Sequence, residues 1–217
     1  MGPPLCPTQA GFALLAVRPT VQIELYLDLI CPFSQKMFCT LYDEVMPGLD
    51  ESMKKDVSFV IQQVPQPWHP QGTYVHEAAL AVKACAPDAY PSYVRAIYEA
   101  FGSGKFKDDD TIDKSRKQIY SELLDLLGSG DEKLKAVDKD AVAKLLTLQG
   151  EGNAGNAMTQ HIKWAVKYHR CRGVHVTPTV HVNGLEAGMI SSGWNAEQWG
   201  KYLAPKGADN WQGSLLG

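Results

Sequence analysis

Val21-Gln22-Ile23-Glu24-Leu25-Tyr26-Leu27-Asp28-Leu29-Ile30-Cys31-Pro32-Phe33-Ser34 is the stretch on which the fold turns. Val21, Ile23, Leu25, Leu27 and Leu29 recur with period two, the pattern of a strand. After Cys31 the period changes. Met37, Phe38, Leu41, Tyr42 and Val45 form one helical stripe, and Pro47-Gly48 predicts its stop. Cys31 therefore falls at a strand-to-helix junction. The first turn of a helix has unpaired N–H groups and the positive end of the macrodipole, and both favour an anion at the N-cap. Pro32 suits the first helical position, where its missing donor is idle. Any cysteine can precede a proline by chance, so Cys31-Pro32-Phe33-Ser34 needs a partner. One stands far along the chain in Val176-Thr177-Pro178-Thr179-Val180-His181-Val182-Asn183-Gly184, a strand with a proline near its start and a hairpin turn behind it.

The chain has 217 residues, long for one average domain and short for two, and enough to bury a core without staples. A net charge of −3 gives no electrostatic case for nucleic acid or an anionic membrane surface. No apolar stretch approaches the ~20 residues of a membrane helix. Phe12-Ala13-Leu14-Leu15-Ala16-Val17 is short, follows no basic region and precedes no small-residue cleavage pattern, so it makes a poor signal peptide. The 5 cysteines are odd in number and scattered, which is not a disulfide framework. A reducing compartment is the default on that count, and a cytoplasmic rather than a secreted protein is expected.

Residues 1–20, rich in proline and glycine, read as an extended arm. Val57–Val64 is nearly all apolar at its centre, as a strand covered on both faces should be. From Thr73 to Arg172 the pattern is helical. Its stripes are Val75, Ala78, Ala79 and Val82; Tyr90, Val94, Ile97, Tyr98 and Phe101; Ile119, Leu123, Leu126 and Leu127; Ala141, Val142, Leu145 and Leu146; and Met158, Ile162, Ala165, Val166 and His169. A hairpin follows, with strands over Val176–Val182 and Leu185–Ile190 about the Asn183-Gly184 turn. A short helix over Ala196–Leu203 precedes a tail, 204–217. The order is βαβ, a block of helices, then ββα, with a right-handed crossover in the first unit. The expected class is α/β. One domain is split into 21–72 and 173–203 around an insertion, 73–172.

With Tyr26–Ser34 and Gly173–Gly184 placed in this order, the chain resembles the DsbA-like branch of the thioredoxin superfamily. That branch includes the kappa-class glutathione transferases and the 2-hydroxychromene-2-carboxylate isomerases. The resemblance implies a thioredoxin-like fold with a helical insertion between its βαβ and ββα halves. It also implies a cis peptide before Pro178, set against the Cys31 thiol, with the Thr177 backbone pairing to a substrate peptide or to glutathione. Two positions depart from the DsbA pattern. Ser34 stands where those oxidases have a second cysteine, and Leu25 where they have a buried acid. Asp28 matches the kappa and isomerase pattern instead, although that branch commonly has serine at the position of Cys31.

Thiolate attack on a disulfide gives a mixed disulfide, and Ser34 cannot displace it. A second thiol must then come from solution, most simply glutathione as co-substrate, with no tightly bound cofactor and no metal. The expected activity is monothiol thiol–disulfide exchange with protein or small-molecule disulfides. Cys31 is the nucleophile, Ser34 a hydrogen-bond donor to it, and Pro32, Phe33, Trp68, His69, Val176, Thr177 and Pro178 the substrate surface. The alternatives are a glutathione-dependent transferase or isomerase and a non-catalytic peptide-binding module. Cys39 lies roughly 12 Å further along the helix, beyond disulfide reach. Cys85 and Cys171 fall in helical stripes and read as packing residues, and Cys6 sits on the arm. His76, beside Glu77, reads as a surface or capping residue. His169, His175 and His181 have a superficially metal-like spacing but too few companions for a structural zinc.

Overall fold

Strand β2 (Val21–Leu27) is flanked on both sides, and that position gives the molecule its order. The computed structural model describes residues 11–15, 19–128 and 130–204. Among them β1 (Phe12–Leu15), β2, β3 (Val57–Gln63), β4 (Thr179–Val182) and β5 (Leu185–Glu186) form a sheet of order β1-β3-β2-β4-β5. Only β2 and β3 run parallel, in register from Val21↔Val57 to Leu27↔Gln63. β4 returns antiparallel on the other side of β2, with Thr179 opposite Tyr26. The start of β4 therefore lies at the end of β2, next to the turn that carries Cys31. This is the thioredoxin-like sheet expected from the sequence.

The arm expected over 1–20 supplies an edge strand, since Phe12–Leu15 pairs antiparallel with β3. Cys6 and most of the expected tail, from residue 205 on, lie outside the described residues. The hairpin is shorter than its sequence pattern: β4 begins at Thr179, after the cis Thr177–Pro178 bond, and β5 ends at Glu186. Asn183 and Gly184 both take positive φ, 48° and 87°, as the two-residue turn requires.

Helix α1 (Pro32–Cys39) continues through a π-helical stretch, Thr40–Val45, and a last turn, Met46–Gly48. Its Met37, Phe38, Leu41 and Val45 are buried in the main core with Ile23, Leu25, Phe59 and Ile61 of the sheet. Helix α2 (Glu51–Asp56), capped by Asp50, leads into β3. The insertion comprises α3 (Gly72–Cys85), α4 (Tyr90–Gly102), α5 (Arg116–Asp125), α6 (Lys139–Leu146) and α7 (Thr159–Cys171), with shorter turns between. Helix α8 (Ala196–Leu203) closes the domain through Trp199, fully buried and edge-on to Phe59. No helix among the described residues is long and apolar enough to cross a membrane.

Polar Glu24 alternates with apolar neighbours, yet it does not face water. It is buried on the face of β2 opposite Leu25, where α7 lies. Its carboxylate accepts from Arg172 Nη2 at 2.9 Å and from the Tyr168 hydroxyl at 2.9 Å. Arg172 also donates to His181 Nδ1 and to the Gly184 carbonyl, so one ion pair joins the insertion, β2 and the hairpin. Cys85 and Cys171, expected to pack inside, are exposed. Each is the last residue of its helix, past the point where the apolar stripe meets the core.

Removing Arg172, the half-buried partner of this ion pair, strands the buried Glu24 carboxylate. Arg172→Met should cost about 3–5 kcal/mol of stability, and adding Glu24→Gln should recover part of the loss. Urea titrations of the three chains check this; additive losses would mean that the pair is not coupled.

Candidate active site

Cys31 is the N-cap of α1, with extended dihedrals (φ −94°, ψ 126°), Pro32 at the first helical position and no acidic residue in the first turn. Its N–H donates to Asp28 O at 3.2 Å, closing a four-residue turn between β2 and α1. Its side chain is 6% exposed, and Sγ donates to the Thr177 carbonyl at 3.5 Å. The expected meeting of the thiol with the cis Thr177–Pro178 edge is present. Ser34, three residues on in α1, is fully buried, and its hydroxyl makes no hydrogen bond. The expected bond from Ser34 to the Cys31 sulfur is absent.

The apolar side chains expected at the substrate surface are exposed. Phe33 is 62% exposed, Trp68 58% and Val176 61%, while Pro32 is exposed and Pro178 half-buried. A cleft of about 470 Å³ opens beside Trp68, between Pro70, Tyr74, Ile112 and Lys114. A roomier cleft of about 590 Å³ lies on the insertion between Tyr120, Leu124, Leu146 and Leu148, with no thiol or imidazole in its wall.

Asp28 is the part of the site that residue patterns leave outside the list of working groups. Its side chain has no exposed surface, and its two oxygens meet four donors. Oδ1 accepts from the Ile30 N–H at 3.2 Å and lies 3.2 Å from His76 Nε2. Oδ2 accepts from the Gln66 N–H at 3.1 Å and lies 2.8 Å from His69 Nδ1. Burial works against the charge, but the bonds to His69, His76 and Ile30 outweigh it and hold the carboxyl well below the usual carboxylate range. The bond to Asp28 in turn pushes His69 up from the ordinary imidazole value, against partial burial and with help from Asp108.

His76 is thus no surface or capping residue. It is fully buried on the inner side of α3, with Nδ1 at 3.2 Å from Gln63 Oε1. Its Nε2 stands 3.3 Å from the Leu29 N–H as well as 3.2 Å from Asp28. A nitrogen serves only one of these as donor or acceptor. A carboxylate between Leu27 and Leu29, three residues before a thiol, was the one sequence signal for this hub. Its imidazole partners come from a loop and a helix distant in sequence; His69 was expected only as part of the substrate surface and His76 only as a surface or capping residue. His169 and His181 serve the fold, through Val174 O and Arg172 respectively. Among the described residues no group of three or more histidine, cysteine or acidic side chains is placed to hold a metal.

Comparison with known proteins gives no match to any protein-family model and none to any curated protein. Solved structures do match. A candidate protein-disulfide isomerase from Pseudomonas syringae superposes with TM-score 0.69 at 21% identity, over 91% of this chain and 99% of that one. MdbA, a thiol-disulfide oxidoreductase from Actinomyces oris, matches with TM-score 0.63 at 17% identity, over 92% and 88%. A periplasmic thioredoxin-like protein from Salmonella enterica serovar Typhimurium matches with TM-score 0.53 at 14% identity, over 96% and 92%. The fold is thioredoxin-like. The cytoplasmic placement expected from the cysteines is overturned, since one of these neighbours, alike in fold, is described as a periplasmic protein. The physical reason is plain. A core of this size holds the fold without structural disulfides, so unpaired cysteines record no compartment.

Because the folded state lowers Asp28, that carboxylate adds stability above its ordinary value of 3.8, and the contribution is lost as pH falls through the lowered folded value. Asp28→Asn should therefore be less stable than the native chain near neutrality, with the gap closing in acid. Denaturant titrations at about pH 7, 4 and 2 check this; a gap independent of pH would mean the carboxylate is not charged in the native state.

Proposed function

We propose that this chain is an enzyme, a thiol–disulfide oxidoreductase of monothiol type that works on protein or small-molecule disulfides through Cys31. The observation that carries this reading is Cys31 Sγ at a helix N-cap, 3.5 Å from Thr177 O beside cis Pro178, with Ser34 in place of a second thiol. The likeness in fold to a protein described as a thiol-disulfide oxidoreductase supports it. The Cys31 thiolate attacks one sulfur of a disulfide, the S–S bond breaks, and the other sulfur leaves as a thiolate. The mixed disulfide then waits for a thiol from solution, such as glutathione. That thiol takes the client's sulfur and returns the electron pair to Cys31. Electrons pass only between sulfurs, so the exchange calls for no bound cofactor. Extended client chain would lie along Val176–Thr177 and rest its side chains on Phe33 and Trp68.

Incubated with glutathione disulfide, the protein should form its adduct on Cys31 ahead of the exposed Cys85 and Cys171, as read by peptide mapping. Ser34→Cys should shorten the life of that adduct by about ten-fold or more, because the resolving thiol becomes intramolecular. Adducts spread evenly over the cysteines would sink the proposal. A transferase or isomerase using glutathione's own sulfur would keep its activity in Cys31→Ser, which separates that alternative.

A further inference from the structure

We propose that His69, held by Asp28, is the proton carrier of this single-thiol site, taking the proton from the thiol that enters to resolve the mixed disulfide. The proposal rests on the monothiol reading of Cys31.

A site with one thiol must handle protons differently from a site with two. The resolving thiol arrives from solution carrying its proton, and only its thiolate attacks. The usual helpers are missing. Leu25 has no acid to offer, and the Ser34 hydroxyl is buried without a hydrogen bond. Of the two imidazoles on Asp28, His69 is the one with a free end. Its Nδ1 is fixed by Asp28 Oδ2 at 2.8 Å, and its Nε2 has no partner among the described residues and is not sealed from solvent. The other imidazole on Asp28, His76, is fully buried with both nitrogens engaged.

The placement is built by the backbone. Asp28 opens the four-residue turn that Cys31 closes, and its carboxylate binds the N–H of Ile30, the residue before the thiol. The same carboxylate binds the Gln66 N–H, and His69 N–H donates to Gln66 O at 3.1 Å. One buried anion thus anchors both the thiol's turn and the loop that presents His69. The charged groups facing His69 are Asp28 from that turn and Asp108 from the insertion, both acidic, with His76 of α3 sharing the carboxylate. Both acids favour a proton on the imidazole.

The balanced step is as follows. Neutral His69 Nε2 takes the proton of the incoming thiol. The resulting thiolate attacks the client sulfur of the mixed disulfide, a new S–S bond forms, and the bond to Cys31 breaks with its electron pair on Sγ. The proton on His69 then passes to water or to the released thiolate. In the first half-reaction the protonated imidazole protonates the leaving thiolate.

The test uses the full chain and its glutathione adduct. Release of the adduct by added glutathione should fall about ten-fold in His69→Gln near neutral pH, at the low end of general-base effects. In that variant the remaining rate should follow solution thiolate alone across the pH profile, whereas the native profile should show the added imidazole limb. Alkylation of free Cys31 by iodoacetamide, which needs no proton from the reagent, should stay within two-fold of native. Native release rates and an unchanged profile in His69→Gln would overturn the proposal. An equal loss in alkylation would overturn it too, because it would mean that His69 only shapes the thiol's turn. If no Cys31 adduct forms in the native chain, it is the monothiol function that fails.

Discussion

A carboxylate with no exposed surface has to be repaid in hydrogen bonds, and Asp28 is repaid by donors from three parts of the chain. Ile30 N–H comes from its own turn, Gln66 N–H and His69 from the loop after β3, and His76 from the first helix of the insertion. The interaction therefore decides where three independent segments stand relative to the Cys31 thiol. It also ties the turn to the insertion a second time, since the Tyr98 hydroxyl of α4 donates to the Asp28 carbonyl. An unpaired Asp28 would be too costly to bury, so the turn, the loop and the helix hold their places together.

Glu24, on β2 itself, follows the same logic. Buried Glu24 and half-buried Arg172 form an ion pair that fastens the end of α7 to the sheet, with Tyr168, His181 and Gly184 completing the donors and acceptors. The segment from Arg172 to Thr179 carries Val176 and cis Pro178, and this pair anchors one end of it while β4 anchors the other. Two buried carboxylates, one on β2 and one in the turn just after it, thus position both halves of the site. Asp28 sets the thiol's turn, and Glu24 holds the start of the edge on which a client would lie.

Much of the frame is legible in the residues. Period-two alternation over Val21–Leu29 marked β2, and the change of period at Cys31 marked α1 with its N-cap and Pro32. The Asn183-Gly184 turn marked the hairpin, because local steric preferences dictate it. Edges were less legible. Phe12–Leu15 is a strand only because β3 offers it a partner, and β4 loses its first residues to the cis-proline bend. The exposure of Cys85 and Cys171 was missed because a helical stripe does not say where the core ends.

The amino-acid sequence alone determined the order of elements, the helix-capping thiol and its distant proline, because these follow from short-range periodicity and backbone chemistry. Tertiary structure alone decided the chemical surroundings of that thiol. It left Ser34 without a hydrogen bond and drew His76 inside. It also placed His69 on a carboxylate forty-one residues away in the chain. Such contacts have no local signature, since a buried charge selects its partners by distance in space rather than in sequence.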